Sequence, residues 1–313
     1  MLNMMRESLA APVSQVRRSK TLSKRLRESL KWYPYLIVNV IVFIIFSLTS
    51  WVYVVYLSFN KWDMLGPRKF IWLGNFARMF SDRVLGIALK NTLQYAIMFV
   101  PLVSGLSLLI AILVNRPTHM FRTLKSAYFL PNITSIAVLG LIFFRLFSPR
   151  TDSPANYLLS LVGVQPQDWL VDIYMALPTL VAISIWQLFG YYMVIWLAGL
   201  QGIPVELYDA ALVDGASGWQ VHWHVTLPLL RPTASFILII ATISSLQVFG
   251  SIFILTGGGP VHATTTIVYF IYLQAFHMTR LGYSSAISIL LFAIILIWTY
   301  LQGKFLHYGA ALY

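Results

Sequence analysis

Six runs of apolar residues, each long enough to cross a bilayer, constrain this chain more than any other feature. They are Tyr35–Tyr56, Asn91–Val114, Ser126–Phe147, Met175–Leu200, Thr233–Leu255 and Leu281–Leu301. A hydrocarbon core of about 30 Å needs roughly 20 helical residues at 1.5 Å rise each. Inside a bilayer only helices and closed barrels satisfy every backbone N–H and C=O. Runs of this length and continuity predict an all-α, polytopic membrane protein with six transmembrane helices. Pro101, Pro131 and Pro178 lie in or near these runs. Neighbouring helices in a bundle re-satisfy the carbonyls that prolines free, so they do not cancel the helices.

Composition agrees. The 313 residues are 58% hydrophobic and 10% charged, against roughly 45–50% apolar and about 25% charged in soluble domains. The net charge of +12 does not point to nucleic acid, because the cations collect at the N-terminus and between the apolar runs. Arg6, Arg17, Arg18, Lys20, Lys24, Arg25, Arg27 and Lys31 stand against Glu7 and Glu28 in a basic arm at 1–34. The arm reads as a topogenic tail on the cytoplasmic side, near anionic lipid. Residues 35–305 form the membrane domain and 306–313 a short tail. Six crossings put both termini in the cytoplasm with Arg116, Arg122, Lys125, Arg231 and Lys304. The connection 58–88, with Lys61, Arg68, Lys69, Arg78 and Arg83, falls outside, an imperfect fit to the positive-inside rule. In it, Phe76, Met79 and Phe80 have helical spacing, and Trp62 and Trp72 suit an interface.

Several chemistries are missing. There is no cysteine, hence no disulfide, thiolate metal site or cysteine nucleophile. There is no G-x-x-x-x-G-K-[ST] phosphate loop and no H-E-x-x-H; His222 and His224 are two apart and point to different faces of a helix. No metal or catalytic site is expected. The ten carboxylates lie outside the runs or at their edges, leaving no buried acid for an ion-coupled relay. A transport protein of this kind takes its energy from elsewhere.

The connection at 201–232, between runs four and five, carries the most information. Pro204 suits the first turn of a short helix, and Glu206 and Asp209 favour its positive end. Ala210 and Ala211 make a smooth face. Asp214 and Gly215 end the helix, because glycine accepts the left-handed conformation of a C-terminal cap. A second short helix is expected from Trp219 to about Thr226, before Pro228. The result is an acidic knob at the membrane surface.

The spacing of Asp209-Ala210-Ala211, Gly215, Val225 and Leu227-Pro228 resembles the E-A-A-x-x-x-G-x(9)-I-x-L-P signature of permease subunits of bacterial binding-protein-dependent ABC importers. Aspartate replaces the leading glutamate, and valine the isoleucine. Further stretches are similar to the carbohydrate permeases of the maltose and glycerol-phosphate type: Trp72 to Phe76, Gly199 to Pro204, Leu255 to Pro260 and Ala263 to Thr266. Together they cover most of 35–305. The resemblance implies that the loop 204–228 is a coupling element, with Glu206, Asp209, Ala210, Ala211, Asp214, Gly215 and Pro228 facing an ATPase. It also implies a second homologous permease subunit and two ATP-binding subunits that carry ATP and Mg. An extracytoplasmic solute-binding protein would deliver the saccharide in a bacterial inner membrane.

Sugars are held by aromatic faces and by convergent amide and hydroxyl groups on apolar walls. Ser184, Gln187, Leu188 and Tyr191 share one face of run four at i, i+3, i+4 and i+7. Ala241, Ser244, Ser245 and Val248 share a face of run five, with Gln247 and Phe249 beside it. The resemblance implies that sugar contacts come from these two faces; small polar residues also serve helix packing. Asn132, Thr134 and Arg145 are weaker candidates, Arg145 by snorkelling to the interface. The expected function is a non-enzymatic permease subunit of an ABC importer for an oligosaccharide or sugar derivative, working by alternating access. The same machinery for glycerol-phosphate or an acidic oligosaccharide, or a stand-alone channel or secondary transporter, are the alternatives.

Overall fold

A computed structural model describes residues 33–115 and 119–307. The basic arm lies outside these residues except for Tyr33 and Pro34, as do Arg116 and residues 308–313 of the tail. The chain divides into two compact units, 1–56 and 57–313. In the first, α1 (Tyr33–Val42) leads through a π-helical stretch (Phe43–Leu48) into α2 (Thr49–Ser58), which runs across the boundary. Leu36–Ser58 is long and apolar enough to span a membrane, and its side chains are almost all exposed within the chain. A helix apolar all round is one built for lipid or a partner helix.

In the second unit a two-residue antiparallel pair, β1 (Asn60–Lys61) and β2 (Lys69–Phe70), precedes α3 (Gly74–Met79). This short helix lies where the spacing of Phe76 and Met79 put one. Asn75 fastens it, donating to the carbonyls of Ser58 and Asn60 at 2.8 and 2.9 Å. The long α4 (Arg83–Val114) is started by Asp82, whose carboxylate accepts from Val84 N and Leu85 N at 3.0 and 3.1 Å. Pro101 sits inside it without ending it.

The third apolar run is not one straight rod. It forms α5 (His119–Ile133) and α6 (Ile136–Leu146), and the segments Thr123–Ile133 and Ile136–Leu146 meet at 94°. Pro131 has no N–H to donate to the carbonyl of Ala127. The Thr134 hydroxyl closes α5 on the carbonyl of Leu130, and Ser135 caps α6 by accepting from Ala137 N. The described residues therefore hold five helical segments of membrane length and composition, or six spans when this bent pair counts as one.

After α7 (Pro154–Leu161) come α8 (Ala176–Gln201), α9 (Val205–Val213) and α10 (Gly218–Val221). A π-helical stretch (His222–Thr226) and α11 (Leu227–Leu229) lead into α12 (Arg231–Leu246), followed by α13 (Gly250–Leu255). α14 (Ile267–Tyr272), a π-helical stretch (Leu273–His277) and α15 (Leu281–His307) complete the chain. The fifth run is thus interrupted at residues 247–249.

Three apolar clusters hold the second unit together. The largest packs α4, α8 and α12 through Tyr95, Phe99, Val103, Met193, Trp196 and Ile237, and reaches Val114, Ile203 and Leu230 at the end carrying the 202–230 loop. A second joins α6, α8, α13 and α14 through Phe143, Leu180, Ile252 and Tyr269. The third, with Leu85, Ala88, Phe270 and Tyr283, closes the opposite end between α4, α14 and α15. α5 lies directly against α8 because residue 190 is glycine: a Cβ there would collide with the backbone carbonyl of Tyr128.

Candidate functional site

Two regions have the residues expected to carry function: a cavity among the helices and the loop at 202–230.

The cavity measures about 200 Å³ and is lined by Tyr95, Phe99, Ile136, Ser184, Gln187, Leu188, Ser244, Ser245, Val248, Gly250 and Ser251. Ser184, Gln187 and Leu188 from one expected face and Ser244 and Ser245 from the other meet there. Tyr191, Gln247 and Phe249 are not among its walls. Tyr191 packs edge-on against Tyr192 at 5.2 Å between ring centres. Gln247 is exposed at the end of α12, and Phe249 belongs to a ring cluster with Phe253, Tyr269 and Tyr272. Asn132 and Thr134 do not line the cavity. Arg145 reaches Asp152 at 3.8 Å, with both side chains more than half exposed. Asp152 lies closer to Arg150, whose hydrogen bonds hold its carboxyl below the usual range.

The sequence reading missed Tyr95, Phe99 and Ser251. Tyr95 and Phe99 stand at i and i+4 on α4, stacked at 5.7 Å, and that aromatic pair was the available signal. The Tyr95 hydroxyl lies beside Ser184 and Ser251. Ser245 donates to the carbonyl of Thr242 at 2.8 Å, which leaves its oxygen lone pairs as acceptors. The walls thus combine two aromatic side chains with an amide and hydroxyls, and carry no charged group.

The interruption at 247–249 lies in this wall and is tied to a later turn of the chain. The Val248 carbonyl accepts from the Thr266 hydroxyl at 3.1 Å. Thr266 ends a turn that begins at Gly257 and Gly258, whose φ values are +56° and +79°, a region costly for other residues. The carbonyls of this turn accept from Thr264, Thr265 and Tyr269 hydroxyls, and Asn91 of α4 donates to those of His262 and Thr265. Thr264, Thr265 and Thr266 are wholly buried. The glycine- and threonine-rich stretch is therefore a knot that ties α4 to the broken wall.

The loop is built in the contrary manner. α9 carries Glu206, Asp209, Ala210 and Ala211, and Pro204 stands one residue before it as the N-cap, not within its first turn. Asp214 is the C-cap, and Gly215 follows with φ +80° and open space around its missing Cβ. Ser217 and Gln220 form a reciprocal cap for α10. The second helix does not stop before Pro228. Wide π turns at His222–Thr226 carry it on into α11, with Pro228 inside, and so to α12. Proline cannot bond one turn back, and a π turn is where helices absorb such a defect. Ile203, Val221, Thr226 and Leu230 root the loop in the bundle, and Tyr208 reaches Thr226 at 3.3 Å. Leu212, Val213, Trp219 and Trp223 are exposed, Val213 by 88%.

Residues 107–306 match the family described as binding-protein-dependent transport system inner membrane component. The chain belongs to that family. The permease is therefore a multi-pass inner-membrane transport component and not an enzyme. It is similar to the arabinooligosaccharides transport system permease protein AraP of Halalkalibacterium halodurans, 31% identical over 285 residues, 88% of this chain and 90% of the relative. It is also similar to the sn-glycerol-3-phosphate transport system permease protein UgpA of Agrobacterium fabrum, 33% identical over 287 residues, with 89% and 97% covered. A chain from the crystal structure of a bacterial ABC transporter involved in the import of the acidic polysaccharide alginate shares the fold. Its TM-score is 0.79 at 24% identity, over 93% of the permease and 99% of that chain.

Proposed function

We propose that the permease is one transmembrane half of an ATP-driven importer for an oligosaccharide or sugar derivative. A second homologous permease subunit completes the pathway. Two ATP-binding subunits, which carry ATP and Mg, drive it, and an extracytoplasmic solute-binding protein supplies the solute. The N-terminus and the 202–230 loop face the cytoplasm.

The observation that carries the substrate class is the cavity. Tyr95 and Phe99 offer rings for stacking on the apolar face of a pyranose, and Gln187, Ser184, Ser244, Ser245 and Ser251 offer donors and acceptors for its hydroxyls. Tyr191, Gln247 and Phe249 flank this set. The transport roles of AraP and UgpA support a polyhydroxylated solute.

Coupling follows from connectivity. The loop is the covalent link between α8 and α12, both of which line the cavity. From Ser184 to the end of α8 is about 25 Å of helix, and from Arg231 to Ser244 about 20 Å. A push on Glu206, Asp209, Ala210, Ala211, Asp214 and the Gly215 turn is carried by these rods to two cavity walls, opening one end as the other closes. Pro228 lies on the strut through which α12 receives the push.

The test is transport of a panel of saccharides by the assembled transporter, counted per complex. Removing Gln187 should reorder the panel. A panel reduced uniformly, with its order kept, would return this face to helix packing.

A further inference from the structure

The end of the molecule opposite the 202–230 loop carries a feature that sugar transport does not use. Lys61, Arg68, Lys69, Arg78 and Arg83 make the connection before α4 strongly basic, the wrong sign for an external segment. Arg78, Arg83 and Arg280 line one groove of about 360 Å³ with Ser81, Asp82, Val84, Phe270 and Gln274. An adjoining groove of about 530 Å³ shares Arg78 and Arg280 and adds Lys61, Trp62 and Asp63.

Two carboxylates face these cations, Asp82 in the first groove and Asp63 in the adjoining one. Asp82 caps α4 and accepts from the Tyr283 hydroxyl at 2.8 Å. Arg78 lies over the Tyr283 ring at 4.4 Å. The ion pairs of Arg145 and Arg150 with Asp152 lie on another loop. Three guanidinium groups thus border the first groove against one carboxylate, Asp82, which is already engaged. Gln274, only 6% exposed, lines the same groove, and its side-chain oxygen is buried with no hydrogen-bond partner. A buried, unpartnered amide oxygen is costly unless a donor reaches it.

We infer that this groove binds an oxyanion, a carboxylate or phosphate, that carries a hydroxyl beside it. The anion meets Arg78, Arg83 and Arg280, where charge-assisted and bidentate geometry suits both groups, and the hydroxyl donates to Gln274. The same chemistry belongs to an acidic sugar or glycerol-phosphate arriving from outside and to a phosphatidylglycerol headgroup. Capture of a solute here rests on the orientation proposed above. It deepens that reading, giving an anionic solute a first contact about 20 Å along α4 from Tyr95.

The assembled transporter is placed in phosphatidylcholine nanodiscs and titrated with labelled glycerol 3-phosphate, with glycerol as the uncharged control. Wild type should bind the phosphate in a salt-sensitive manner. Arg83→Gln with Arg280→Gln should weaken it about tenfold or more, Arg280→Lys should retain most of it, and Lys69→Gln, an exposed cation outside the groove, should leave it unchanged. Native mass spectrometry of the same proteins from phosphatidylglycerol discs tells the sources apart. Retention of that lipid by wild type and its loss in the double variant, with no soluble binding, assigns the groove to the headgroup. Binding of glycerol 3-phosphate that is lost in the double variant assigns it to solute. Equal soluble binding and equal lipid retention in wild type and double variant overturn the site. Failure of the sugar-cavity reading would appear separately, as an unchanged saccharide order in Gln187→Ala.

Discussion

In α9 every residue but Tyr208 and Ala211 is exposed, and the groups that matter follow one another within a dozen positions. In the cavity Tyr95, Ser184, Ser245 and Ser251 are buried, and its walls are drawn from α4, α6, α8, α12, α13 and the broken stretch between the last two. Exposure in the loop leaves an apolar and acidic surface open. Burial in the cavity leaves polar groups that only a small molecule can reach. On the proposed function the loop answers to a protein and the cavity to a solute, and α8 and α12 are what they share. Damage to one region should leave the other's specificity in place.

The largest expected effect is at Gly215. Valine at φ +80° is a β-branched residue in a strained backbone region, costing on the order of 1–3 kcal/mol. Solute-stimulated ATP hydrolysis should fall about tenfold or more with the saccharide order intact, while Gly215→Asn, which tolerates that conformation, stays near wild type. A changed saccharide order in Gly215→Val would break the separation.

Next comes Thr266→Val. It removes the donor to the Val248 carbonyl and should cost about 1–3 kcal/mol, seen as a lower thermal midpoint of the purified complex. Because Val248 lines the cavity, the saccharide order should shift as well. A shift in midpoint alone would mean that the knot holds the fold without shaping the wall.

Gln187→Ala should cost about 2- to 15-fold in apparent affinity for the favoured saccharide. Tyr191→Ala is the sharper control, because Tyr191 packs on Tyr192 outside the cavity wall; it should lower the yield of assembled complex more than it alters preference. The opposite ranking would move the solute contacts along α8.

The smallest effect belongs to Asp152. Its carboxyl titrates below the usual range beside Arg150, so any stabilisation is present above the unfolded pKa and lost as pH falls through the folded one. The pair is exposed, and Asp152→Asn should leave the thermal midpoint unchanged at neutral pH.

What the sequence made legible follows the same division. The loop was readable because its parts are local: Gly215 after Asp214, and the spacing to Pro228. The cavity was half readable. Helical periodicity placed Ser184, Gln187 and Leu188 on one face and Ser244 and Ser245 on another, but periodicity says nothing of which faces meet. Tyr95 and Phe99 went unread because on α4 they look like core aromatics, and in the structure they are both core and wall. Tyr191 shares a periodic face with Gln187 yet sits a turn beyond the cavity. The 94° bend was signalled by Pro131 and Ser135, but a bundle tolerates proline, and only the packing decides whether it bends a helix or merely interrupts its bonds. The continuation through Pro228 depended on π turns, which leave no pattern in composition.

The central claim is that one element moves the machine and a different one chooses the solute. It is tested most directly by measuring stimulated ATP hydrolysis and transport across a saccharide panel on the same reconstituted complexes, for wild type, Gly215→Val and Gln187→Ala. The account predicts that Gly215→Val lowers both activities for every saccharide by one common factor, and that Gln187→Ala reorders the saccharides while the ATP hydrolysed per solute carried stays at the wild-type value. A reordered panel in Gly215→Val, or a raised ATP cost with unchanged order in Gln187→Ala, would contradict it.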